Sequence, residues 1–173
     1  MKKIFFLIML FIIVFLIYYY NMDKSIKYLY IGNTSKYNEM IKKHYKPKKL
    51  YEYIRNDDYR IMDLINDIKD NIDIDNKTLQ NLLVKSNLIV INIGIYDIEY
   101  KTNLDYKYSD ELIDDIENLL LLIRKYNKDK IYLIGFYNKN KYYDYINRRI
   151  KHLCKINNII YIDIEESIYK QLY

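Results

Sequence analysis

The run LIVINI, Leu88 to Ile93, is apolar at every position but one. A strand with one face in water alternates apolar and polar residues, so a near-continuous apolar run belongs to a strand covered on both faces. Helix-length segments flank it. TLQNLLVKS (Thr78 to Ser86) precedes it, with Asn76 expected as the cap. After it, a long helix is expected from a Ser109 cap through Tyr126, with Leu112, Ile113, Ile116, Leu119, Leu120 and Ile123 at helical spacing. A doubly covered strand between two helices belongs in a parallel sheet.

The same alternation fills the rest of the chain. SIKYLYI (Ser25 to Ile31) reads as a strand, KYNEMIKKHY (Lys36 to Tyr45) as a short helix, and LYEYI (Leu50 to Ile54), beyond the break at Pro47, as a second strand. YRIMDLINDIKDN (Tyr59 to Asn71) places Ile61, Leu64, Ile65 and Ile68 on one helical face. KIYLIGF (Lys130 to Phe136) and IIYIDI (Ile159 to Ile164) are two further strands, separated by the helical pattern of Tyr142 to Ile156. Right-handed crossovers between such strands give a three-layer α/β/α sandwich on a five-stranded parallel sheet. With no repeat or flexible linker to divide it, residues 23–173 form one domain.

Gly32, Gly94 and Gly135 are the chain's three glycines, and each stands at the carboxyl end of an expected parallel strand, in YIG, NIG and LIG. Ligands of such sheets bind beyond those ends, where the strand order reverses. Glycine also simply lets a chain turn out of a strand, so the three mark a cleft by place and not by chemistry.

The order of the motifs resembles the SGNH or GDSL-type hydrolases, serine esterases and acylhydrolases with a flavodoxin-like sheet, over about residues 27 to 165. YIGNTSKY stands where the family keeps its nucleophile motif, Gly-Asp-Ser, so Gly32, Asn33 and Thr34 match that triplet. DYRIMDLINDI resembles the second motif, with Asp58 at the position of the oxyanion-hole glycine, and INIGIYDI resembles Gly-x-Asn-Asp, with Gly94 and Asp97 matching and Tyr96 in place of asparagine. The run LLLLIRKYNKDKIYLIGFYN resembles the stretch that follows in many bacterial members.

The departures bear on activity. The resemblance implies a serine, a glycine and an asparagine where this chain has Thr34, Asp58 and Tyr96, and an Asp-x-x-His motif where only Asp163 is found and no histidine follows in the ten residues after it. A hydroxyl is a weak nucleophile without a base to take its proton. A carboxylate at Asp58 would repel a developing oxyanion, where loss of a single donor costs about 3 kcal/mol. Thr34 and the neighbouring Ser35 remain the candidate nucleophiles. His44 and His152 read as helix-end or surface residues, and the segment Tyr96 to Glu111 reads as a solvated loop. Gly32, Asn33, Thr34, Asp58, Gly94, Tyr96 and Asp97 are therefore expected to outline a vestigial cleft, open to an acyl or glycan ligand. An active esterase using Thr34 or Ser35, with a base from elsewhere, is the alternative. A third possibility is a purely structural anchor whose strand ends are plugged by Tyr96 and its neighbours.

Lys2 and Lys3 precede IFFLIMLFIIVFLIYYY, residues 4 to 20, which is 17 residues without a charge. As a helix that run is about 26 Å long, enough to cross a bilayer. It ends in Tyr18, Tyr19 and Tyr20, which suit a membrane interface and not a small-residue cleavage site. Residues 1–22 are expected to be an uncleaved, single-pass transmembrane helix with a cytoplasmic N-terminus, leaving the domain outside the cytoplasm. The net charge of +5 is spread among interleaved lysines and acids, which does not indicate nucleic acid. The single cysteine, Cys154, reads as a buried apolar residue, and neither a metal cluster nor a cofactor is implied. The 23 tyrosines accompany crowds of Ile, Asn and Lys, a bias that an A- and T-rich genome produces without a stacking function.

Overall fold

A computed structural model of the chain describes residues 27–32, 39, 43, 46–54, 59–74, 76–99, 104–136 and 141–163. In chain order the elements are β1 (Lys27–Gly32), β2 (Lys49–Ile54), α1 (Ile61–Asp70), β3 (Asp73–Ile74), β4 (Lys77–Thr78), α2 (Leu79–Lys85), β5 (Leu88–Asn92), α3 (Ile95–Glu99), α4 (Tyr106–Tyr126), β6 (Lys130–Ile134), α5 (Lys141–Ile156) and β7 (Ile160–Ile162). Five strands form one sheet in the order β2-β1-β5-β6-β7, with every neighbouring pair parallel. This is the 2-1-3-4-5 order of flavodoxin-like sheets.

Alternation along each strand sorts the core. Leu29, Ile31, Ile89, Ile91, Ile131 and Leu133 pack with the apolar stripes of α1, α4 and α5 on one face. Tyr28, Tyr30, Leu88, Val90 and Ile134 make the core of the other. Each fully buried Leu or Ile contributes roughly 1.5–3 kcal/mol over its exposed state. Tyr28 and Tyr30 are themselves wholly buried, so these two tyrosines are core residues. Cys154 is buried as expected, and burial pushes its thiol up to about 12. Of the short helix expected over residues 36–45, Glu39 and Lys43 are described, and both are helical.

Two caps differ from the sequence reading. Asn76 does not cap α2: Thr78 does, its Oγ1 accepting from the Asn81 N–H at 3.3 Å, while Asn76 sits at φ 63° in the turn between β3 and β4. Nor does Ser109 cap α4. Asp105 accepts from the Tyr108 N–H at 2.7 Å, and Ser109 is buried one turn in, its Oγ donating to the Asp105 carbonyl. The segment expected as a solvated loop thus contributes α3 and the first turn of α4, and Asp97 within it is buried.

Residues 1–22, expected to span the membrane, lie outside the described residues. Among the described residues no helix is long and apolar enough to cross a membrane.

Candidate functional site

The chain leaves β1 for β2 on one side and later enters β5 on the other, so the strand order reverses between β1 and β5. Their carboxyl ends meet closely. Gly32, at φ 130°, would place a Cβ 1.8 Å from the Asn92 carbonyl oxygen, so no side chain fits there. The Asn92 Nδ2 donates to Tyr30 Oη at 3.0 Å, which ties the two ends side to side.

Gly94 continues this wall. It sits at φ 105°, and a Cβ there would lie 2.8 Å from Phe136 Cζ and 3.1 Å from Ile61 Cδ1. The end of β5 is thereby packed between the start of α1 and the residues after β6. α3 follows, with Tyr96 half-buried and Asp97 buried.

The Asp97 carboxylate faces the first turn of α1, where its Oδ2 accepts from the Ile61 N–H at 3.2 Å. A helix start leaves such N–H groups without intrahelical partners and carries partial positive charge, so a carboxylate is well placed there. Burial nevertheless dominates and pushes the Asp97 carboxyl up to about 6, opposed by the Ile61 N–H and the Arg60 charge. Tyr108 of α4 donates its hydroxyl to the Asp97 backbone carbonyl. Asp97 therefore joins the second-motif segment to the third-motif segment.

Beyond β6, Gly135 donates its N–H to the Ile162 carbonyl at 2.9 Å, and a Cβ on it would meet Tyr161 Oη at 2.0 Å. Asn147 of α5 brackets the next residue: its Oδ1 accepts from the Phe136 N–H at 2.9 Å, and its Nδ2 donates to the Phe136 carbonyl at 2.6 Å. Phe136 is thus held against Gly94.

Of the residues expected at the cleft, Gly32, Gly94, Tyr96 and Asp97 come together at the carboxyl edge of the sheet. Asn33, Thr34, Ser35, Asp58 and His44 lie outside the described residues. His152 is exposed on α5, whose buried side carries Tyr143, Ile146, Ile150, Leu153 and Cys154. Asp163 is exposed and lies 3.7 Å from Lys151 Nζ. Among the described residues no group of His, Cys, Asp and Glu could hold a metal ion. Phe136, Tyr108 and Asn147 escaped the sequence reading. Asn147 alone left a signal, a polar residue on the apolar stripe that runs from Tyr143 to Ile150.

An acetyl xylan esterase, AlAXEase, is similar to this chain with a TM-score of 0.57, covering 84% of this chain and 80% of its own at 15% identity. The fold is esterase-like. A family 3 carbohydrate esterase of Clostridium thermocellum is also similar, at a TM-score of 0.45 and 12% identity over 81% of this chain and 78% of its own. At such identities the likeness speaks to the fold. No family model matches the chain, and no curated protein matches it.

Proposed function

We propose that the chain is a membrane-anchored SGNH-hydrolase-like domain whose catalytic set has been lost and whose cleft serves binding or scaffolding. Residues 1–22 anchor it with the N-terminus in the cytoplasm, and residues 23–173 form a three-layer domain outside. The observation that carries the reading is the wall built from Gly32, Gly94, Tyr96 and Asp97 at the strand-order switch point, in the motif order of those hydrolases. The similarity of the acetyl xylan esterase fold supports the hydrolase ancestry and suggests an acylated glycan as the ligand class.

Loss of chemistry follows from the residues at the motif positions. Thr34 replaces the serine, Asp58 brings a negative charge where an oxyanion would form, and Tyr96 replaces an amide donor. Asp97 is engaged at the start of α1. The test is labelling of the full chain in detergent with a fluorophosphonate, which traps activated hydroxyls. The expected result is no adduct on Thr34 or Ser35. A stoichiometric adduct on either would establish the alternative, an active esterase or acylhydrolase.

A further inference from the structure

Along the sequence, lysines and acids interleave; the fold gathers an excess of the cations at one edge. In a parallel α/β chain every strand begins, and every helix ends, at the same edge of the sheet, so residues just ahead of strands collect there. The described segments entering β2, β5, β6 and β7, residues 46–49, 84–88, 124–130 and 154–160, hold nine Lys or Arg and one acid, Asp129, and the end of α1 adds exposed Lys69 together with exposed Asp70 and Asp73. Lys48 and Lys49 are exposed ahead of and at the start of β2, and Lys128 and Lys130 flank the turn into β6. Lys85 and Lys155 close α2 and α5. Lysines in a last turn complement the helix dipole, which accounts for those two. It does not account for Lys48, Lys49, Lys128 or Lys130, which lie outside helices. The opposite edge carries both signs, with exposed Asp63, Asp105 and Asp144 beside Lys107, Lys141 and Arg148.

Apolar side chains accompany the lysines. Among the described residues, four of the seven exposed large apolar side chains, Leu50, Val84, Ile156 and Ile160, lie at this basic edge, Val84 and Ile156 each 60% exposed. A groove of about 540 Å³ opens among them, with buried Leu88 and Ile131 at its base and exposed Lys128, Asp129, Lys130 and Ile160 at its mouth. Cations interspersed with exposed aliphatic groups are the composition of a surface that rests on anionic lipid.

The connection to the proposed anchor points the same way. β1 begins at Lys27, at this same edge. Only the six residues 21–26 separate it from Tyr20, the end of the apolar run. Six residues reach at most about 20 Å. With residues 1–22 as the anchor, a link of that length keeps the basic edge within reach of the bilayer.

We infer that the amino edge of the sheet docks on the lipid surface next to the anchor wherever the leaflet that the domain faces carries anionic headgroups, seating phosphates among Lys128, Lys130 and Lys155 and holding the cleft outward. This rests on the anchor reading above. The test uses the full chain in phosphatidylcholine vesicles with and without phosphatidylglycerol, carrying a fluorophore on Ile156→Cys or on Met62→Cys at the other edge. Cys154 is fully buried and does not compete for the label.

With a headgroup nitroxide lipid as quencher, the label at 156 is expected to be quenched several-fold more than that at 62 when phosphatidylglycerol is present. Replacing Lys128, Lys130 and Lys155 with Glu should remove the difference. Equal quenching at both sites, in protein that resists alkaline extraction, would overturn the docking and leave the anchor standing. Protein that washes out in alkali would overturn the anchor reading and the docking with it. Shielding of the label at 156 by an oligonucleotide, without lipid dependence, would assign the edge to nucleic acid instead.

Discussion

Asp97 accepts a hydrogen bond from the backbone N–H of Ile61 at 3.2 Å, joining α3 to the start of α1 across 36 positions of sequence. The carboxylate is buried, and burial holds its proton up to about 6. An unfolded aspartate titrates near 4. Between about pH 4 and 6 the folded chain therefore binds more protons than the unfolded one, so stability falls as pH rises through that window.

Asp97→Asn keeps an oxygen that can accept from Ile61 and removes the buried charge. Stability at pH 7 is expected to be unchanged or higher, with the pH 4–6 dependence flattened. Asp97→Ala leaves the N–H without its partner and should cost about 1–2 kcal/mol. Urea unfolding of both variants across that pH range checks the pair. A wild-type stability that climbs from pH 4 to 6 would contradict the sign.

Asn147→Ala removes both hydrogen bonds that bracket Phe136. The expected loss is about 1–3 kcal/mol. Hydrogen exchange at the Phe136 amide should accelerate more than at Ile131, in the middle of the same sheet. Uniform acceleration across the domain would show that the bracket has no local role.

Tyr161 Oη is buried with no hydrogen-bond partner among the described residues, and it lies over Gly135, where a Cβ would not fit. Tyr161→Phe removes the unpaired buried hydroxyl. A gain of about 1 kcal/mol is expected from chemical unfolding. A loss of similar size would mean that the hydroxyl is bonded in solution.

The legible parts of this fold were the long periodic ones. LIVINI announced β5, and the stripe from Leu112 to Ile123 announced α4, because burial on a sheet imposes a pattern over many residues. Caps were harder. Asp105 and Ser109 are both good capping types. The extra turn that makes Asp105 the cap also brings Tyr108 to the Asp97 carbonyl, a tertiary contact with no local signature. α3 and the β3–β4 hairpin are too short to show a period.

The site was legible as an outline. Glycines at strand ends and the order of motifs placed Gly32, Gly94, Tyr96 and Asp97 together, while Phe136 and Asn147 enter through packing between distant elements. The basic edge stayed hidden for a geometric reason. A chain that visits both edges within one strand-helix unit interleaves their charges in sequence, so an excess of cations at one edge shows only in space.

Hydrolysis of a short-chain aryl acetate by the full chain in detergent, beside Thr34→Ala and Ser35→Ala, tests the loss of chemistry most directly. Rates indistinguishable from buffer are expected for all three proteins, each shown to be folded by circular dichroism. Turnover by the wild type that disappears in one of the two variants would contradict the loss and identify the nucleophile.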